Sequence, residues 1–94
     1  MDSHYRVDWS KTLRERFLEL ARKASEQGVR KQFLEASNVI FHQLQTDPLA
    51  FGDLRFRLGK MEVRARMIGV LFVEYGVNNK EKVVWVKDIV LMVE

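Results

Sequence analysis

Cysteine is absent from the chain, which removes disulfides, thiolate metal sites and a cysteine nucleophile together. Histidine occurs only twice, at His4 and His42, and two distant imidazoles without cysteine make no recognisable zinc constellation. The single proline and five scattered glycines leave no Walker-type or G-x-G-x-x-G phosphate loop. No apolar run approaches the roughly 20 residues of a membrane-spanning helix. The opening MDSHYRVDWS is polar and leads straight into a strand-like pattern, so no signal peptide is expected. What remains is one small domain, residues 1–94, expected in the reducing cytoplasm, with neither metal nor cofactor implied. A chain this short buries a modest share of its surface, so its stability will lean on good packing or on a partner.

What the chain does have is arginine, and it is unevenly placed. Residues 1–53 carry eight Lys/Arg and eight Asp/Glu, whereas residues 54–94 carry eight and five, so the whole net charge of +3 lies in the second half. The stretch LRFRLGKMEVRARM, residues 54–67, alternates apolar and polar on both sides of Gly59-Lys60, the signature of a half-buried hairpin. That alternation predicts Leu54, Phe56, Leu58, Met61, Val63 and Ala65 on one face and Arg55, Arg57, Arg64 and Arg66 on the other. Side chains directly opposite on paired strands are about 5 Å apart, so four guanidinium groups would crowd together. Such a cluster is either a hydrated sheet face or an anion site, and the planar, permanently charged fork of arginine suits phosphate. A basic face on a near-neutral body favours a nucleic acid, with Arg55, Arg57, Lys60, Arg64 and Arg66 as its contacts, joined by Lys87 if that side chain opens toward them.

Taken in order, His4 to Trp9 reads as a short strand burying Tyr5, Val7 and Trp9. Ser10 is placed to cap a helix carrying Leu13, Phe17, Leu20, Ala21 and Ala24 on one stripe, and Gly28 ends it. A second helix, about Val29 to Gln45, buries Phe33, Ala36, Ile40 and Leu44 and stops at Asp47-Pro48. Leu49 and Phe51 tuck the following loop onto the core. After the hairpin, Val70–Val77 alternates as a strand with Leu71, Val73, Tyr75 and Val77 on one face, and Asn78-Asn79-Lys80-Glu81 forms a turn with asparagines suited to positive φ. KVVWVKDIVLMV closes the pattern as a strand buried on both faces, with Lys87-Asp88 marking a bulge or bend. The expected class is α+β, in the order β-α-α-β-β-β-β, with two helices on one face of a small antiparallel-rich sheet.

That order, with Tyr5-Arg-Val-Asp-Trp9, the helix pair, Asp47-Pro48…Phe51-Gly52, the arginine-bearing strand and Tyr75-Gly-Val-Asn…Val83-Val-Trp-Val86, resembles the RelE/ParE superfamily of type II toxins. The resemblance implies a toxin neutralised by a cognate antitoxin, often through a helix laid on its surface. RelE-like members enter the ribosome and cut messenger RNA, whereas ParE-like members poison DNA gyrase and lack the ribonuclease residues. By that resemblance Arg64 and Arg66 occupy the strand of the phosphate-contacting arginine, where they would steady the phosphorane of an mRNA interferase. The family's C-terminal arginine, histidine or tyrosine has no counterpart after Asp88. The leading expectation is a RelE-like, ribosome-dependent mRNA interferase, and the alternative is a ParE-like gyrase inhibitor or a catalytically inactive binding relative.

Cleavage by 2′-hydroxyl attack also needs a proton acceptor and donor, beside the charge stabilisation that arginines give. Glu62 shares the arginine face, as a base or as a counter-ion separating two arginines. Tyr75 is expected buried with its hydroxyl bonded, His42 structural on the second helix, and Trp9 and Trp85 in the core.

Overall fold

The computed structural model describes residues 4–93. Strand β1 (Arg6–Asp8) leads into helices α1 (Lys11–Glu26) and α2 (Arg30–Thr46), then a single-turn helix α3 (Pro48–Phe51). Strands β2 (Asp53–Leu58), β3 (Met61–Ile68), β4 (Leu71–Asn78) and β5 (Val83–Leu91) follow. One sheet holds all five strands in the order β1-β5-β4-β3-β2. β1 runs parallel to β5 and every other pair is antiparallel. The α+β class and the helix-on-sheet layout thus stand as expected, with α3 added where a plain loop was anticipated.

Local chemistry explains the elements. The Ser10 hydroxyl accepts a bond from the Leu13 N–H at 3.0 Å, satisfying one of the orphan donors of the first turn of α1. Gly28, at φ +74°, reverses the chain between the helices. Pro48 stands at the first position of α3, where its missing N–H costs nothing. Between β4 and β5 the positive φ falls on Lys82 (+57°), not on an asparagine. Lys82 is held there by its ammonium, which donates to the Tyr5 hydroxyl and lies over the Tyr5 ring.

The core lies between the helices and one face of the sheet. Leu13, Leu20, Phe33, Ala36, Ile40 and Leu44 meet Leu71, Val73, Tyr75 and Val77 of β4 and Val84, Val86 and Ile89 of β5. Trp9, Phe17, Phe33 and Phe41 add edge-on and tilted ring contacts with centroids 5.2–5.8 Å apart, a favourable geometry for aromatic quadrupoles. Buried Val63, Ala65 and Val83 are outside that cluster. Their register puts them on the other sheet face, which no helix among the described residues covers.

Candidate functional site

Which face carries the arginines is decided by β4. Arg64 pairs opposite Tyr75 and Arg66 opposite Val73, so both point to the helix side of the sheet, the side of the core. Glu62, opposite Val77, joins them. β2 is exposed along its whole length, and β3 is partly so on this side, which leaves room for charged groups.

On β2 the expected alternation fails. Leu54 pairs with Arg64, but Phe56 pairs with Val63, and a bulge lies between them. One extra residue moves every side chain beyond it to the opposite face. Leu54 therefore shares the arginine side, while Phe56 and Leu58 lie on the uncovered face with Val63 and Met61. Arg57, opposite Glu62, does stand with Arg64 and Arg66. Arg55 is the extra residue of the bulge, and Lys60 occupies the exposed β2–β3 turn. Lys87, expected to open toward the arginines, instead lies over the Phe56 ring with its ammonium 5.5 Å from the centroid. That puts it on the uncovered face. The six cations foreseen as one site are thus divided by the sheet.

The helix-side group is bonded internally. Arg64, only 17% exposed, donates to the Gly52 carbonyl at 2.7 Å and to Glu62 through two nitrogens at 2.7 and 3.0 Å. Glu62 also meets Arg57 at 3.6 Å, which makes it the counter-ion between two arginines. Arg66 donates to the Phe51 carbonyl at 2.7 Å, and its guanidinium lies 5.2 Å from the Phe51 ring centroid. Cation–π contact and a charge-assisted hydrogen bond thus hold Arg66 on α3, yet Arg66 stays exposed.

Tyr75 completes the arrangement. Its fully buried hydroxyl donates to the Pro48 carbonyl at 2.6 Å and accepts from the Gly52 N–H at 2.8 Å. Burial pushes this phenol up to about 12, against the opposing pull of the Gly52 hydrogen bond and of Arg64 and Arg66. Gly52 has no substitute here: a Cβ would sit 2.6 Å from the Tyr75 hydroxyl and 3.1 Å from the Ala65 carbonyl oxygen. Three side chains from β3 and β4 therefore fasten the backbone of residues 48–52.

Beside Arg66 opens a cleft of about 280 Å³, walled by Val39 and Gln43 of α2, Ala50 and Phe51 of α3, and Ile68 of β3. Val39 of α2, 44% exposed, contributes an apolar side to this cleft. Exposed His42 is on α2 and contributes nothing to the cleft wall. Among the described residues no three His, Cys, Asp or Glu side chains gather to hold a metal ion. No helix among the described residues is long and apolar enough to cross a membrane. The chain as a whole matches no family model, no curated protein and no solved structure.

Proposed function

We propose that this domain is the toxin of a type II toxin–antitoxin pair, built on the RelE/ParE plan, and that it grips its target without cutting RNA. The family part rests on the resemblance of its motifs and on the succession of strand, helix pair and meander of strands. The mode of action rests on one observation. On the arginine side of the sheet, Glu62 is claimed by Arg57 and Arg64, and the Tyr75 proton is held by Pro48 in a phenol raised to about 12. Glu62 is thereby committed as a counter-ion, and the Tyr75 phenol lies far above the neutral range where a general acid or base works best. The exposed cations Arg55, Arg57, Lys60 and Arg66 serve binding, as in a ParE-like gyrase inhibitor, with an antitoxin as the natural partner.

A second reading, ribosome-dependent mRNA cleavage, is favoured by Arg66. It uses one guanidinium nitrogen on Phe51 and has donors left for a phosphate. Induction of the full chain in a bacterial host, with primer extension on messages and gel analysis of plasmid supercoiling, separates the two. Growth arrest with intact messages and altered supercoiling is the expected result. Cuts that need ribosomes would transfer the assignment to an mRNA interferase, and normal growth would end the toxin reading.

A further inference from the structure

Two hollows between α2 and β3 run into one another. The cleft beside Arg66, about 280 Å³, shares Val39 and Ile68 with a second of about 270 Å³ that continues to Gln32, Glu35, Ala36 and Gly69. Glu35, Val39 and Gln43 recur at four-residue spacing, so they stand in one row along α2. At 1.5 Å rise per residue that row is about 12 Å long. Ile68 and Arg66, alternate residues of β3, form the facing wall. Ala50 and Phe51 of α3 line only the hollow that holds Arg66, so the groove is closed at that end.

We propose that this groove takes the free carboxyl terminus of a polypeptide that ends in an aliphatic residue. The inference rests on the binding role given to Arg66 above and names the chemistry that role serves. Arg66 uses Nη1 on the Phe51 carbonyl, and its contact with the Phe51 ring fixes the plane of the guanidinium. Its Nε and Nη2 donate to no other described residue. That side of the group presents two parallel N–H bonds, the fork that a carboxylate accepts bidentately. Half-buried Gln43, whose carboxamide has no partner among the described residues, offers a donor and an acceptor to the last peptide group. Between these polar groups and Glu35 the walls are Val39, Ile68 and Ala36, suited to an aliphatic side chain. Capture of a chain terminus is an established mode of peptide recognition.

Charge decides the occupant. Among the described residues Arg66 is the one cation that lines either hollow, which matches a single negative charge and not the run of phosphates in a nucleic acid. At the far end stands Glu35, 66% exposed and 4.0 Å from Lys31, where it disfavours a second acid. A carboxylate at the tip of an otherwise neutral or basic chain therefore fits, and an acidic stretch does not. Length agrees, because about 12 Å is the span of three to four extended residues. The closed end at Arg66 selects a chain that stops there over one that passes through.

NMR titration of the isotope-labelled full chain tests this, with an N-acetylated tetrapeptide that begins with lysine and ends in leucine with its carboxyl group free. A dissociation constant on the order of 100 µM is expected, with shifts clustered at Val39, Gln43 and Ile68. The same peptide ending in an amide should bind at least about 10-fold more weakly. Arg66→Gln should erase the difference between acid and amide, and Val39→Asp should weaken the free-acid peptide by at least about 10-fold. Both positions are exposed, so circular dichroism should show the variants folded. Arg14→Gln removes the same charge from an exposed site on α1 and should bind like the wild type. No saturation by about 5 mM peptide, equal binding of acid and amide, or an equal loss in Arg14→Gln would overturn the proposal. So would equally tight binding by N-acetyl-leucine alone, or by an amidated peptide with aspartate in last place. Toxicity does not enter the readout, so a failure here is distinct from a failure of the toxin assignment.

Discussion

Removing one oxygen atom, by Tyr75→Phe, is the sharpest test of how the site is held. The ring stays, and with it the packing against Phe51 at a centroid distance of 6.3 Å. What is lost is the hydroxyl between the Pro48 carbonyl and the Gly52 N–H, both deep in the protein. A buried backbone group left without a partner costs about 1–3 kcal/mol, so two of them should cost roughly 2–4 kcal/mol. A domain of this length has about 5–14 kcal/mol in total, and each kcal/mol moves the midpoint by roughly 4–8 °C. Thermal unfolding followed by circular dichroism should therefore show a fall of about 10–25 °C. Alkaline pH gives an independent reading of the same hydroxyl. The folded-state value is raised from 10 to about 12, so the neutral phenol is the form the fold favours. Its contribution is fully present below pH 10 and is lost as pH climbs through 12, a change of about 2–3 kcal/mol. Denaturant titrations of both proteins between pH 9 and 12 should show the variant missing that part of the decline. A loss under about 0.5 kcal/mol at neutral pH, with parallel alkaline profiles, would refute the reasoning.

Other substitutions separate structure from function. Arg64→Ala orphans the Gly52 carbonyl and leaves Glu62 half-compensated, so about 2–3 kcal/mol of stability should vanish in urea denaturation. Arg66→Ala, at an exposed position, should cost under about 1 kcal/mol while weakening growth inhibition, scored by colony counts after induction. Gly52→Ala must displace the Tyr75 hydroxyl and press on the Ala65 carbonyl, and should fall by at least about 2 kcal/mol, read by the same melts. Ser10→Ala loses the cap on Leu13 and should cost about 1 kcal/mol in chemical denaturation.

The helices were legible because their signals are local. Ser10, Gly28 and Pro48 mark ends through dihedral and hydrogen-bonding preferences that act within a turn, and the stripe Phe33, Ala36, Ile40, Leu44 needs only the 3.6-residue period. The face of β4 was equally plain, with Leu71, Val73, Tyr75 and Val77 all buried. The bulge at Lys87 was marked by the polar pair Lys87-Asp88 interrupting the apolar run of β5. Arginine placement was not legible, for two physical reasons. The bulge at Arg55 occurs in a run whose apolar and basic residues alternate without a break, so nothing in the pattern marks the extra residue. On β3 both faces are partly covered: Val63 and Ala65 are buried on the open side, while Arg64 and Arg66 reach backbone carbonyls on the core side. Polarity alone cannot tell solvent from a carbonyl that accepts a guanidinium. Trp85 shows the same ambiguity in reverse, an aromatic in an apolar run that stands in the open.

The parallel pairing of β1 with β5 gives the chain a particular order of assembly. Arg6 lies opposite Val83 and Asp8 opposite Trp85, so the first strand finds its partner only in the last one made. During synthesis α1 and α2 can pair as soon as they emerge. The residues flanking β1 can rest on them through the Tyr5 N–H bond to the Gln45 carbonyl and the Trp9 ring on Phe17 and Phe41, but β1 itself still lacks its strand partner. Contacts that span almost the entire sequence form late, because closing so long a loop is entropically costly before they can repay it. The sheet is therefore completed only once β5 has been made, and a nascent chain that stops short of it lacks the finished architecture. For a domain proposed to injure the cell that makes it, this delays any activity until β5 has emerged, when a partner made alongside it can already be present.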